Sequence, residues 1–201
     1  MALTLLALTL GGCERPIPIL APDARFHVAG KTPFERALQR WIRSGKLYRN
    51  FDTILLARVL YRSAEVRVHF VAQLARSRLL TASERRELVA KEAASRSERE
   101  FIMAVSTGEA GWNDFDKKDS MWSLRLELPG GRRVAPKEIR RFRLDPEGDP
   151  LLTLYPFIGL WDTVYSVRFP LPPGAVAREE PIKLIISSVL GRLELLWGEA
   201  S

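Results

Sequence analysis

A chain of 201 residues with 46% hydrophobic and 27% charged residues has globular composition and enough length to bury one main core. Its 31 Lys and Arg against 24 Asp and Glu leave a net charge of +7, but the arginines are spread among acidic residues instead of forming one basic block, so no nucleic-acid partner is expected. One cysteine and two histidines exclude an intrachain disulfide, a thiolate cluster and the common kind of zinc site, and no apolar stretch approaches the roughly 20 residues of a membrane-spanning helix.

The chain opens on MALTLLALTL, an uncharged apolar run of the length of a secretory h-region, which stops at two glycines and a cysteine. The tetrapeptide Leu10-Gly11-Gly12-Cys13 resembles the lipobox of bacterial lipoproteins, and the resemblance covers the first 13 residues. It implies cleavage between Gly12 and Cys13, diacylglycerol on the Cys13 thiol, and a mature chain that starts at Cys13. Two or three acyl chains give stable anchoring without a span, so the membrane is expected as a partner through the lipid on Cys13. In that family an aspartate after the cysteine favours inner-membrane retention; Glu14 stands there, which points to the outer membrane. One departure is that no Lys or Arg precedes the apolar run. The competing account of the segment is an apolar N-terminal helix or strand with a buried free cysteine. Residues 1–12 thus read as a signal peptide, 13–30 as a Pro-rich tether, and 31–201 as the folded domain.

Thr32 followed by Pro33, with Phe34, Leu38, Trp41 and Ile42 at helical spacing, predicts a capped helix that ends near Ser44-Gly45. Alternation of Leu55, Ala57, Val59 and Tyr61 predicts a first strand over 51–61. Over 64–80 the period becomes helical, with Val66, Phe70, Val71 and Leu74 on one face and Glu65, His69, Ala72 and Arg76 on a more polar one. A second helix follows at the capping box Thr81-Ala82-Ser83-Glu84. Its pairs Glu87 with Lys91 and Glu92 with Arg96 have the spacing of mutual support on an exposed surface.

From Glu100 onward the text is strand-like. Trp122, Leu124, Leu126 and Leu128 alternate with polar residues, Pro129-Gly130-Gly131 makes a turn, and a strand is expected to return over 134–144. Further strands are predicted at 163–169, 182–188 and 192–197, the last two joined by a hairpin at Leu190-Gly191. Short strands separated by Pro/Gly turns predict a mainly β antiparallel sandwich, immunoglobulin-like or C2-like in topology. An N-terminal helix precedes it, and a helical pair is inserted at about 64–97.

Four sets of residues carry candidate chemistry. Asp114, Asp116 and Asp119 gather oxygen ligands in a loop, a weak Ca²⁺ candidate that breaks the EF-hand pattern at Lys118, so no metal and no cofactor are expected. Glu65 and His69 lie four apart on one helix, the spacing of an oriented general base, with no nucleophile in view. Tyr155, Phe157 and Trp161 sit around Pro and Gly and form either an interaction surface or a cover for the core. The basic run of Arg132, Arg133, Lys137, Arg140, Arg141 and Arg143 suits anionic headgroups, an acidic partner or a protected sheet edge. No G-x-S-x-G, H-E-x-x-H or glycine-rich phosphate loop occurs. The expectation is therefore a lipid-anchored envelope module that binds, scaffolds or assists assembly without catalysis, with an envelope protein as possible partner. The alternatives are an anchored enzyme acting on envelope material and, without the signal, a basic binding protein of the cytoplasm.

Overall fold

The computed structural model describes residues 29–95, 98–144, 150–171 and 181–198; Gly12, Cys13 and nearly all of the tether lie outside them. Nine strands and four α-helices are present among the described residues. Helix α1 (Pro33–Trp41) starts as its sequence predicts, with the Thr32 hydroxyl accepting from the Glu35 amide. It stops three residues earlier than expected. Ile42 is already extended, and β1 (Ile42–Arg49) runs straight through Gly45, which is not a helix terminator. The glycine answers a close approach from the far end of the chain: a Cβ there would stand 2.5 Å from Leu193 Cδ1.

Strand β1 pairs with β2 (Asp52–Tyr61) in a hairpin. Helices α2 (Ala64–Ser77) and α3 (Ala82–Ala94) then intervene before β3 (Glu98–Thr107), which returns beside β2. The predicted capping box is complete, Thr81 Oγ1 accepting from the Glu84 amide and Glu84 Oε2 from the Thr81 amide. Strand β4 (Ser123–Glu127) keeps the predicted alternation of buried and wet residues. The single return strand expected over 134–144 is instead two. Strand β5 (Arg133–Val134) pairs with β4, whereas β6 (Glu138–Arg141) belongs to the other sheet. Pro136, which has no amide hydrogen to give a ladder, lies in the crossing. After α4 (Pro150–Leu154) come β7 (Thr163–Pro170), β8 (Ile182–Ser188) and β9 (Gly191–Trp197).

Every pairing is antiparallel, in two sheets ordered β1-β2-β3-β7-β6 and β5-β4-β8-β9. With β1 set aside, this is the strand order of an immunoglobulin-like sandwich, ABED facing C′CFG. The inner core is aromatic at one end, where Phe101 lies 5.0 Å from Tyr61, 5.7 Å from Phe169 and 5.3 Å from Trp197 between ring centroids. The opposite face of the five-stranded sheet is also covered. There Phe34 of α1, Phe70 of α2 and Tyr155 pack together at 6.2–6.3 Å, and Leu60, Ile102 and Val164 are buried beneath that side of the sheet. The domain therefore has three layers, which explains why β2 and β3 read as almost continuous apolar runs.

The open side between the sheets is closed by β1 lying along β9. Trp197 Nε1 donates to the Trp41 carbonyl at 2.7 Å and Arg43 Nε to the Leu196 carbonyl at 2.7 Å. Replacing Trp197 by alanine removes the centre of this cluster and is expected to cost about 3–5 kcal/mol in urea unfolding. Trp197→Phe, which keeps the ring contacts but orphans the Trp41 carbonyl, is expected to cost about 1–3 kcal/mol.

Candidate interaction surface at the loop end

The strand register gathers four connections at one end of the sandwich. The β1–β2 turn lies beyond the Leu55 and Thr107 pair, the β3–β4 loop begins after Thr107, the β6–β7 connection leaves at Arg141 and returns at Thr163, and the β8–β9 turn follows Ser188. Gly191 stands against the Leu47 side chain, which brings the last of these turns beside the first.

A rigid plug supports this end. Phe115 stacks on Trp122 at 5.3 Å and meets Tyr165 at 5.4 Å, while Trp122 Nε1 donates to the Trp112 carbonyl at 2.7 Å. The Tyr165 hydroxyl is held 2.9 Å from the Asn113 carbonyl, to which it donates; burial pushes its pKa up to about 12, so it stays a neutral donor. The nearby aspartates do not converge. Asp114 accepts from the Ser120 hydroxyl at 2.9 Å and its carbonyl from the Lys117 amide at 2.8 Å, which builds a turn, and Asp116 and Asp119 are exposed. Among the described residues no three His, Cys, Asp or Glu side chains gather as a metal site requires.

Beside the plug, the tail of β6 and the residues before β7 enclose an open cleft of about 810 Å³. Arg140, Arg141 and Arg143 line it and are exposed, and the Arg140 guanidinium lies 5.1 Å over the Phe142 ring. Among the described residues none of these three arginines forms an ion pair. Asp162 also faces the cleft, but it is matched by Arg58 and accepts from the Gly159 amide at 2.6 Å. Of the three loop aspartates, Asp116 alone reaches the cleft. The rest of the predicted basic run is otherwise disposed: Arg133 pairs with Glu127 and Lys137 with Glu98, and Arg132 is exposed.

Of the two alternatives for Tyr155, Phe157 and Trp161, a cover for the core holds for the first two and an exposed surface for the third. Tyr155 and Phe157 are 2% and 0% exposed, because they cover the outer face of the five-stranded sheet against Phe34 and Phe70. Trp161, by contrast, is 88% exposed, next to exposed Leu160 at the cleft. Tyr48, Phe51 and Val189 are the other exposed large apolar residues of the loop end.

Sequence reasoning missed a second polar cluster, buried under the helical pair. Arg62 NH1 donates to Glu100 Oε2 at 2.8 Å and its NH2 to Glu92 at 2.9 Å. Arg67 bridges the same two carboxylates at 2.8 and 3.0 Å, and the Ser166 hydroxyl donates to Glu100 at 3.1 Å. Glu92 therefore turns inward and is not a surface partner; Arg96, its expected mate, lies outside the described residues. The one signal was the placing of Arg67 and Glu100 within apolar faces. Burial opposes the charge on Glu100, but Arg62, Arg67 and Arg168 outweigh it and hold its pKa below the ordinary value of 4.5. Glu65 is likewise occupied: it accepts from Trp41 Nε1 at 2.7 Å and from Arg40 at 3.2 Å, which ties α2 to α1 and withdraws it from His69. Apart from Arg62 Nε, which is buried with no hydrogen-bond partner among the described residues, these contacts are closed and assemble the fold, whereas Arg140, Arg141 and Arg143 have no ion-pair partner among the described residues.

Comparison with protein-family models, with curated proteins and with solved structures returned no match.

Removing one member of the buried quartet strands two guanidinium groups, so Glu100→Ala is expected to cost about 3–5 kcal/mol in urea unfolding. Because the folded pKa of Glu100 is depressed, its contribution is complete above pH 4.5 and is lost as pH falls below that value. The loss of stability on acidification through this window is therefore expected to be shallower in Glu100→Gln than in the parent chain.

Proposed function

We propose that this chain is a lipid-anchored envelope lipoprotein whose immunoglobulin-like body is a non-catalytic binding module, with the loop end as its binding site. The observation that carries the reading is the arginine cleft. Among the described residues, Arg140, Arg141 and Arg143 stand without an ion pair around a concave surface beside exposed Trp161, whereas the carboxylates of the buried layer are already matched. Arginines that line a cleft suit an anionic oxygen ligand, such as a phosphate, through charge-assisted hydrogen bonds.

The anchor is supported by the lipobox-like Leu10-Gly11-Gly12-Cys13 and by the apolar run before it. Glu14 favours the outer membrane over the inner one. A tether between anchor and domain leaves the loop end able to meet material of the envelope, either the membrane or a protein partner.

Two measurements test the proposal. Expressed in a bacterial host, the chain is expected in the membrane fraction, lacking residues 1–12 and carrying acyl mass, with both features lost in Cys13→Ala; a soluble, uncleaved parent chain indifferent to the substitution would sink the anchor. Inorganic pyrophosphate is expected to raise the unfolding temperature by several degrees, on the order of 2–4 °C per kcal/mol of ligand stabilisation, and this rise should disappear in the double variant Arg140→Gln, Arg141→Gln. An equal rise in both proteins would place the anion elsewhere.

A further inference from the structure

We infer that the loop end docks on an anionic lipid bilayer, the arginine cleft taking headgroup phosphates while Phe51, Trp161 and Val189 enter the interface. The inference rests on the binding-module reading above and names the ligand of that same site.

The distribution of exposed apolar residues carries the argument. Tyr48 and Phe51 stand on the β1–β2 turn, Leu160 and Trp161 on the segment feeding β7, and Val189 on the β8–β9 turn. Three separate projections thus bear large apolar side chains at the same end of the sandwich. The β1–β2 hairpin overhangs the rest, since its last residue paired to β3 is Leu55 and its chain reverses at Asn50, which holds a φ of 56°. Protein partners bury apolar side chains in packed, complementary pockets, and separated points demand such a pocket for each. A fluid interface conforms to all of them at once, and Trp, Tyr and Phe are the side chains that settle at its depth.

Charge selects the kind of bilayer. Among the described residues, three arginines on the cleft side stand with Asp116 alone as an unmatched acid, since Asp162 is matched by Arg58. Asp52, Glu109 and Asp119 lie elsewhere at this end among Arg49, Lys117 and Lys118, so the positive excess of the described residues is local to Trp161 and the cleft. Cations held near an anionic surface add to the attraction, and salt screens it.

The proposed anchor is compatible with this pose. Sixteen Cα-to-Cα steps separate Cys13 from Ala29, where the described chain begins, and fully extended they reach at most about 55 Å. A ten-residue strand is only about 33 Å tall, so the tether permits the loop end to face the bilayer that holds the lipid.

The test uses the full chain carrying Cys13→Ala, mixed with vesicles of phosphatidylcholine brominated on its acyl chains, with and without phosphatidylglycerol. Tryptophan quenching is expected with phosphatidylglycerol present, and Trp161→Phe should remove most of it; the uncut apolar run of residues 1–10 is present in both chains and cannot produce that difference. Phe51→Ser with Val189→Ser is expected to weaken vesicle binding by on the order of tenfold or more, and Arg140→Gln with Arg141→Gln to abolish the preference for phosphatidylglycerol and its salt sensitivity. All five positions are exposed, and circular dichroism confirms that each variant folds. Quenching unchanged by Trp161→Phe overturns the inference, because another segment then holds the bilayer. Absence of vesicle binding, with pyrophosphate still stabilising through the cleft, overturns the bilayer and leaves the anion-binding module standing; absence of both removes the two together. Dispersal of a dimer by Phe51→Ser with Val189→Ser in sedimentation would assign the surface to a second copy of the chain and overturn the inference.

Discussion

Two arginines and two glutamates hidden beneath the helical insertion fix where the outer elements of this domain lie. Helix α3 buries none of its residues, so hydrophobic packing does not hold it in place. Its attachment comes from Glu92, clamped by Arg62 at the end of β2 and by Arg67 in the first turns of α2. Glu100, at the start of β3, closes the ring from below. Replacing such a group of charges by apolar residues is often neutral for stability, but apolar residues slide, whereas four charges joined by directed hydrogen bonds favour one arrangement. The insertion is thereby held in one register over the sheet. The Arg62 guanidinium also lies 5.3 Å from the Phe70 ring, and Phe70 stacks on Tyr155, so the same ring orders the segment that covers the sheet after α4.

That covering decides which surfaces remain for recognition. The five-stranded sheet is roofed by α1, α2 and the segment around Tyr155 and Phe157. The four-stranded sheet carries a ladder of paired charges on its outer side, where Lys183 meets both Glu127 and Glu194, and Glu127 also meets Arg133. A ladder with its charges matched offers a partner little, because the pairs must be desolvated to be used. The loops at the end of the sandwich bring Arg140, Arg141 and Arg143 to the same end as exposed Phe51, Trp161 and Val189. Immunoglobulin-like frameworks suit such an arrangement, since short connections at one end are held by a rigid double sheet.

Local chemistry was legible in the amino-acid sequence. Thr32 with Pro33 and Thr81 with Glu84 mark helix starts because each side chain serves amides within three residues of itself. The alternation around Leu124 and Leu126 marks a strand with one wet face, and the pair of antiparallel sheets, though not the third layer over one of them, followed from several short strands. What escaped was set by residues far away in the chain. Gly45 looks like a helix end and is a strand glycine facing Leu193; the span 134–144 looks like one strand and divides between two sheets. Glu92 has a helical partner at the right spacing, yet a buried pair of arginines outcompetes it. At the loop end, the basic character of Arg140, Arg141 and Arg143 was visible, as was Trp161. Their meeting with Phe51 and Val189 was not, because it depends on which sheet each strand joins.

The seam between β1 and β9 carries a consequence for how the domain is made. The first and last strands of the described chain lie side by side, joined through Trp41 and Trp197 and through Gly45 beneath Leu193. A chain that emerges amino end first presents β1 with this flank bare until residues 191–197 have followed. The contact spans more than 150 positions, so it closes late, after the sheets that frame it. Loss of the last strand would accordingly unmake the first, and a truncated product would announce itself to proteases at the amino-terminal hairpin, far in sequence from the cut.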